Sequence, residues 1–127
     1  MKRIKQLFII VSLMTLLFPA NGMAQWNYIG DYSEGLARVE NYEDKWGFID
    51  EAGKLVIPCK WNYAASFSEG LAVVQDGNEL YGFIDKTGKL TIPCKWNYAA
   101  SFSDGSALVT DEDGYHLVID KTGKAIE

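Results

Sequence analysis

The sequence predicts an all-β fold of three tandem 35-residue units, each an antiparallel three-stranded β-meander, in an open repeat array. The segment 61–68 recurs letter for letter as 96–103, and the same offset of 35 residues aligns both with Trp26-Asn27-Tyr28. Small apolar residues alternate with variable ones at that spacing, and no window shows a useful helical period. The array is expected to be open, because three units are too few to close a propeller. Its units are expected to form either a solenoid or a propeller-like fan.

The predicted units span 26–60, 61–95 and 96–127. Without gaps, the first two share 20 of 35 positions and the last two share 18 of 32. Identity this high without an insertion predicts that equivalent residues have the same structural role in each unit.

Each unit contains three predicted strands, which in the first unit are 36–40, 46–49 and 54–57. In the first of these strands, Ala37 and Val39 recur in both later units, whereas the residues between them vary. Alternate residues of a strand share a face, so we expect the Ala and Val positions to face the core and the variable positions to face solvent.

Two turns recur with the strands. An Asp-x-x-Gly turn joins the second and third strands and predicts a positive φ at Gly53, Gly88 and Gly123. A Ser-Glu/Asp-Gly turn precedes each first strand. Pro58 and Pro93 cannot donate to a ladder, so the third strand is predicted to end there or to lie at an edge.

These blocks resemble the WG (KWG) repeat of bacterial proteins. The similar segments are Phe-Ser-Glu-Gly-Leu-Ala at 67–72, Lys-Trp-Gly-Phe-Ile-Asp at 45–50 and Gly-Lys-Leu-Val-Ile-Pro at 53–58. The resemblance covers 26–127. The third unit departs from it, with His116-Leu117 in place of Trp46-Gly47, and is expected to be an end cap. The resemblance implies tandem β-rich repeats, mostly without a known activity.

Residues 1–24 are predicted to be a secretory signal peptide, which leaves a repeat domain at 25–127. A basic start precedes an apolar run over 7–18, and Gly22 and Ala24 place small residues at positions −3 and −1 of the cleavage site. The alternative is an uncleaved anchor, which the shortness of the run disfavours. No Cys lies near the cleavage site, so we expect an exported protein, periplasmic or secreted, that is not a lipoprotein.

Charge and composition argue against several functions. Removal of 1–24 takes away three of the 12 basic residues and leaves 17 acids, so the mature charge is −8. That balance disfavours nucleic acid and, after signal cleavage, membrane insertion. With one His and no CxxC pair, neither a metal nor another cofactor is expected. No catalytic constellation is recognisable, so the protein is not expected to be an enzyme.

The candidate ligand-binding residues are equivalent aromatics of the three units. If the units align, they form ladders that would stack on sugar rings or a polymer. The alternative is that large aromatics form the core. The Trp-x-Tyr alternation is expected to place both rings of a unit on one face. The candidates are Trp26, Trp61, Trp96, Tyr28, Tyr63 and Tyr98.

The acidic loops and the cysteines are further candidates. The windows 40–44, 75–79 and 110–114, around the loops between first and second strands, hold eight of the 17 acids. Asp111 and Asp113 resemble the start of a calcium loop without its remaining ligands. Solvated turns are the simpler interpretation. Cys59 and Cys94 are predicted to be free, since only like-on-like stacking of units brings them within disulfide range. His116 is interpreted as a substituted aromatic.

We therefore expect an exported, non-enzymatic binding or interaction module whose partner is an unknown protein or a cell-envelope glycan. A structural cell-envelope component is the alternative, and carbohydrate binding through the aromatic ladder is a further one. Solvent accessibility of Trp26, Trp61 and Trp96 is expected to discriminate the binding module from the structural component.

Overall fold

The computed structural model describes residues 25–126, which contain eleven strands and no α-helix. The predicted signal peptide, 1–24, lies outside the described residues. Over 25–126 there is no helix of the length and apolarity needed to span a membrane. The strands are β1 Trp26–Ser33, β2 Leu36–Asn41, β3 Trp46–Asp50, β4 Leu55–Trp61, β5 Tyr63–Ala64, β6 Ala72–Gln75, β7 Tyr81–Ile84, β8 Leu90–Trp96, β9 Tyr98–Ala99, β10 Ser106–Thr110 and β11 His116–Asp120.

The strands form three antiparallel sheets in chain order, β1-β2-β3-β4, β5-β6-β7-β8 and β9-β10-β11. The all-β class and the open repeat are thus confirmed. The first two sheets contain one strand more than the sequence predicts, because the Trp-Asn-Tyr segment itself pairs. The chain bends at Asn62, so Trp61 ends the first sheet opposite Trp46 and Tyr63 begins the second. Asn97 marks the same bend one unit later.

The sheets pack face to face, and their hydrophobic contacts explain the open fan. Phe48 and Ile57 of the first sheet share a core with Ala72, Val74 and Ile84 of the second. The opposite face of the second sheet, with Val73 and Phe83, packs against the third. Each sheet therefore consists of consecutive strands covered by its neighbours, as in separate blades, and like strands do not continue one sheet along a solenoid.

This packing corrects one expectation about the first strand of each unit. The Ala and Val positions face a core in all three units, as predicted. The position between them does not always face solvent. Leu108 is exposed in the third sheet, but Val73 is only 2 % exposed in the middle one. The middle sheet is buried on both faces, a property that alternation within one strand cannot reveal.

The Asp-x-x-Gly turns have the predicted geometry, with φ between +82° and +87° at Gly53, Gly88 and Gly123. In the first turn the carboxylate of Asp50 accepts hydrogen bonds from the backbone N–H groups of Ala52 and Lys54 at 3.0 and 2.9 Å. The Asp side chain thus satisfies the turn while the glycine adopts the left-handed conformation.

Gly82, which follows Tyr81 in β7, is required by a close approach of the backbone of β8. A Cβ on Gly82 would lie 2.6 Å from the carbonyl oxygen of Ile92 and 2.8 Å from the backbone nitrogen of Cys94. This contact coincides with a register shift beside Pro93 in β8, an edge strand as predicted. Within the described residues the third sheet has only a single bridge, Ile119 to Ala125, at the place of that strand. Leu117 therefore fits where the other units need glycine.

Polar contacts between successive turns hold the units in register. The Ser33 hydroxyl donates to the carbonyl oxygen of Phe67 at 2.8 Å. The Glu34 carboxylate accepts from the backbone N–H groups of Glu69 and Gly70 at 2.7 and 3.0 Å and lies 3.5 Å from the Lys86 ammonium. The second unit repeats the pattern towards the third: Ser68 donates to Phe102, and the Glu69 carboxylate contacts Gly105 and Lys121.

Partial desolvation by itself raises the pKa of the Glu34 carboxyl, but the two backbone N–H donors and Lys86 outweigh it, so the pKa lies below its ordinary value. The carboxylate form is therefore the one that joins the first two units.

Candidate functional site

Five aromatic side chains form a continuous line across the three sheets, which we call the aromatic row. Neighbouring ring centroids are 5.6, 5.8, 6.5 and 6.0 Å apart, with interplanar angles from 54° to 70°. Tilted contacts at these distances are favourable for aromatic pairs. In order, the members of the row are Tyr28, Trp46, Tyr63, Tyr81 and Tyr98.

The row alternates between two repeat positions. Tyr28, Tyr63 and Tyr98 come from the first strand of each sheet, and they are 43 %, 36 % and 50 % exposed. Trp46 and Tyr81 come from the third strand, immediately before the glycines that admit the edge strand. The predicted tyrosines are thus brought together, but through two residues that the sequence did not assign to the site. The signal that would have found them is the aromatic that precedes Gly47 and Gly82.

The tryptophan candidates lie elsewhere. Trp61 and Trp96 are 7 % and 6 % exposed and belong to the cores between sheets. Trp26 is half-buried and covers Ala37 and Val39 on the outer face of the first sheet. The structure therefore removes Trp61 and Trp96 from the candidate ligand-stacking set. The expectation that Trp61 and Tyr63 share one face is corrected as well, because the bend at Asn62 assigns them to different sheets.

Arg38 occupies the first interval of the row, between the first and second sheets. Its guanidinium carbon lies 5.5, 5.1 and 5.9 Å from the ring centroids of Tyr28, Trp46 and Tyr63, within cation–π range of all three. The same group donates to the carbonyl oxygen of Ala64 at 3.1 Å and to the Tyr63 hydroxyl at 3.4 Å. Three rings and a backbone carbonyl thus surround one cation.

The second interval, between the second and third sheets, contains an open pocket of about 310 Å³. Val73 stands at the position equivalent to Arg38, so no side chain fills the space between the rings. The pocket is lined by Tyr63, Ala65, Val73, Tyr81, Tyr98, Ala99, Ala100 and Ser101.

The remaining candidates have local roles. In the acidic loop of the third unit, the Asp111 carboxylate accepts from the backbone N–H groups of Asp113 and Tyr115, both at 2.9 Å. Residues 25–126 contain no cluster of three or more His, Cys, Asp or Glu suited to a metal ion. His116 is exposed, with Nδ1 3.0 Å from the Thr110 hydroxyl.

The two cysteines are free, as predicted. Burial raises the pKa of the Cys59 thiol. Burial and the nearby Asp76 carboxylate raise the pKa of Cys94 to about 11. Since the thiolate is the nucleophilic form, neither thiol is activated for covalent chemistry.

Comparison with known proteins identifies the repeat. No curated protein matches the chain. Among solved structures, the WD40 beta propeller domain of Doa1 aligns with a TM-score of 0.45 and 17 % sequence identity, over 76 % of this chain and 36 % of that one. The chain thus spans about a third of that structure. The family model of the WG containing repeat matches three times, at residues 24–46, 46–79 and 81–115. The chain therefore belongs to the WG containing repeat family.

Proposed function

We propose that this protein is an exported, non-enzymatic interaction module that binds its partner along the aromatic row. The observation that carries the proposal is the row itself. Tyr28, Tyr63 and Tyr98 remain substantially exposed although Trp61 and Trp96, two residues before the latter two tyrosines, are buried. Aromatic surface left in water at aligned positions of successive repeats is typical of binding surfaces in repeat proteins.

The chemistry of the row supports binding and not catalysis. Its groups are phenol rings, an indole and one guanidinium, which supply apolar contact area, hydrogen-bond donors and a cation-accepting face. The cysteine thiols are held in their protonated form, and His116 lies at the exposed end of the third sheet. Export is proposed from the character of residues 1–24.

A glycan remains the second candidate ligand because its sugar rings can stack on aromatic faces. The interplanar angles of 54–70° in the row make a grooved surface and not a flat platform. A groove suits an inserted protein side chain better than a sugar ring, which stacks flat on an aromatic face. The burial of Trp61 and Trp96 is the observation that favours the structural cell-envelope component.

The proposal is tested with two tyrosines of the third unit, Tyr98 in β9 and Tyr115 in the loop between β10 and β11. Tyr98 belongs to the row, whereas Tyr115 is 69 % exposed and lies outside it. Purified wild type, Tyr98→Ala and Tyr115→Ala, each checked by thermal melting, are immobilised and exposed to cell-envelope extract and to a glycan array. We expect wild type and Tyr115→Ala to retain a common protein partner and Tyr98→Ala to lose at least about tenfold in affinity, as for a central aromatic contact.

Equal retention by all three proteins would refute binding along the row. Binding of a glycan alone, sensitive to Tyr98→Ala, would establish the second candidate in place of a protein partner. Retention of nothing by the wild type would favour the structural component.

A further inference from the structure

We propose that the pocket in the second interval binds the guanidinium group of an arginine side chain presented by a partner protein, and that Arg38 fills the equivalent site of the first interval internally. The inference rests on the proposed function in one respect, since it places the ligand on the aromatic row. It adds the chemical class of the group that is recognised.

The first interval demonstrates what such a site holds. The Arg38 guanidinium faces three rings at 5.1–5.9 Å and donates to the Ala64 carbonyl oxygen. The planar guanidinium can contact ring faces while its N–H groups, directed outward in its own plane, donate to a carbonyl and a hydroxyl. This is a complete arginine site built from the repeat itself.

The second interval repeats every wall of that site. An offset of 35 residues converts Tyr28, Trp46 and Tyr63 into Tyr63, Tyr81 and Tyr98. The same offset converts the carbonyl-bearing Ala64 into Ala99, and all four of these second-interval residues line the pocket. The central residue is the one that changes its chemistry, from Arg38 to Val73, and the site is left open.

A neighbouring position changes together with the arginine. A Cβ added to Gly30 would lie 3.0 Å from Cγ and 3.3 Å from Nε of Arg38, so glycine gives the arginine stem its room. The equivalent residue of the second unit is Ala65, beside the shorter Val73. Gly30 with Arg38, and Ala65 with Val73, are therefore matched pairs, one for a filled and one for an open site.

Charge favours a cationic side chain as the occupant. Residues 25–127 carry 9 basic against 17 acidic residues, a formal charge of −8. The eight residues that line the pocket are all uncharged, so no lining side chain repels an entering guanidinium. A lysine ammonium would satisfy the charge, but as a compact, strongly hydrated ion it gains less from three rings than a guanidinium does.

The ligand test uses the blocked tripeptide Gly-Arg-Gly as probe, with Gly-Lys-Gly and the neutral isostere Gly-citrulline-Gly as controls. Binding to the purified full-length protein is followed by NMR through the ring resonances of the row. We expect a dissociation constant on the order of 1–10 mM for the arginine peptide, because one cation with one or two hydrogen bonds provides little more. The lysine peptide is expected to bind several-fold more weakly, and the citrulline peptide at least about tenfold more weakly.

The matched pairs provide the variants. Ala65→Gly with Val73→Arg rebuilds the filled site in the second interval and is expected to abolish peptide binding. Gly30→Ala with Arg38→Val opens the first interval and is expected to raise the stoichiometry from one peptide to two. Both double variants place in one unit a residue pair that its neighbour already accommodates, so both are expected to fold.

Thermal melting verifies folding, and Tyr98→Leu, at an exposed position, replaces the filled variant if that variant is unfolded. Loss of one ring is expected to weaken arginine binding about tenfold. The inference is overturned if the three peptides bind alike or if the filled variant binds as wild type does. One outcome is that the arginine peptide and the protein variants fail these expectations while Tyr98→Ala still loses the partner retained from cell-envelope extract. The row is then the binding surface, but guanidinium is not its ligand. If the peptide results hold while Tyr98→Ala retains that partner, the pocket stands and the proposed function fails.

Discussion

Replacement of Gly82 by alanine tests why glycine follows Tyr81 in β7. The ideal Cβ would lie 2.6 Å from the Ile92 carbonyl oxygen, 2.8 Å from the Cys94 nitrogen and 2.9 Å from Cys94 Sγ. Ordinary van der Waals contact begins near 3.4 Å, so the edge strand must retreat by several tenths of an ångström. Two of the three obstructing atoms belong to the backbone, which cannot rotate away as a side chain can.

The cost is that of overpacking together with weakened ladder hydrogen bonds beside the register shift. Overpacking costs about 1–3 kcal/mol, and each lost hydrogen bond about 0.5–1.5 kcal/mol. We expect Gly82→Ala to lower the free energy of unfolding by about 2–4 kcal/mol. For a domain of this size, that corresponds to a decrease in Tm of roughly 8–20 °C.

Gly77, in the turn that joins β6 to β7, provides the control. It has an ordinary φ and no atom within 4 Å of its ideal Cβ, so Gly77→Ala is expected to be neutral or to stabilise by up to about 1 kcal/mol. Urea unfolding followed by tryptophan fluorescence measures both variants, with an unchanged m-value as the sign that only stability differs. A loss below about 0.5 kcal/mol for Gly82→Ala, or equal effects of the two, would refute the close-approach explanation.

Four further outcomes are expected. Val74→Asp places a carboxylate in the core between the first two sheets and should cost several kcal/mol, whereas Gln75→Asp, at a half-buried position, should cost about 0.5 kcal/mol; similar losses in urea melts would contradict the assigned faces. Gly88→Val requires a β-branched residue at φ +87° and should destabilise by more than about 1 kcal/mol, and a neutral result in the same melt would refute the turn argument. Thiol titration under denaturant without reductant should find two reactive thiols per chain. In the native protein at pH 8, Cys94 should react far more slowly, because a pKa of about 11 leaves little thiolate. The absence of any titratable thiol, with only monomer on a non-reducing gel, would instead indicate a disulfide. Glu34→Gln should lower the free energy of unfolding by about 0.5–1.5 kcal/mol at pH 7. This difference should vanish as the pH falls through the lowered pKa of the Glu34 carboxyl, because a group with a depressed pKa stabilises the fold only while it is ionised. A difference that does not depend on pH would show that the charge is not what joins the units.

Local features of this fold were predictable from the sequence. The Asp-x-x-Gly turns depend on hydrogen bonds between residues two to four apart and on the freedom of one glycine, so their letters alone indicate their geometry. The inward face of the first strand follows from alternation. The strands that begin at Trp-Asn-Tyr do not follow from the sequence pattern. The strands β5 and β9 are only two residues long and pair with residues ten to twelve positions away, and the longer β1 pairs with β2 through two register shifts.

The candidate site was predictable only in part. Tyr28, Tyr63 and Tyr98 follow from their equivalence in the repeat, but their exposure and the burial of Trp61 and Trp96 depend on a bend at a single asparagine between them. Trp46 and Tyr81 enter the row because β3 of the first sheet approaches β5 of the second, and β7 of the second sheet approaches β9 of the third. That proximity is created by packing between sheets and leaves no periodic trace within either strand.

By itself, the sequence determined the number of units, the turns and the residues equivalent from unit to unit, because repetition and turn chemistry are properties of the chain read in order. The tertiary structure decided which faces are covered twice, which aromatics meet water and what stands between them. Arg38 and Val73 differ in the sequence as one variable position among many. They become a filled and an open site only when the packing of successive sheets adds a tyrosine of the next sheet to the two rings on the strands that flank each of them.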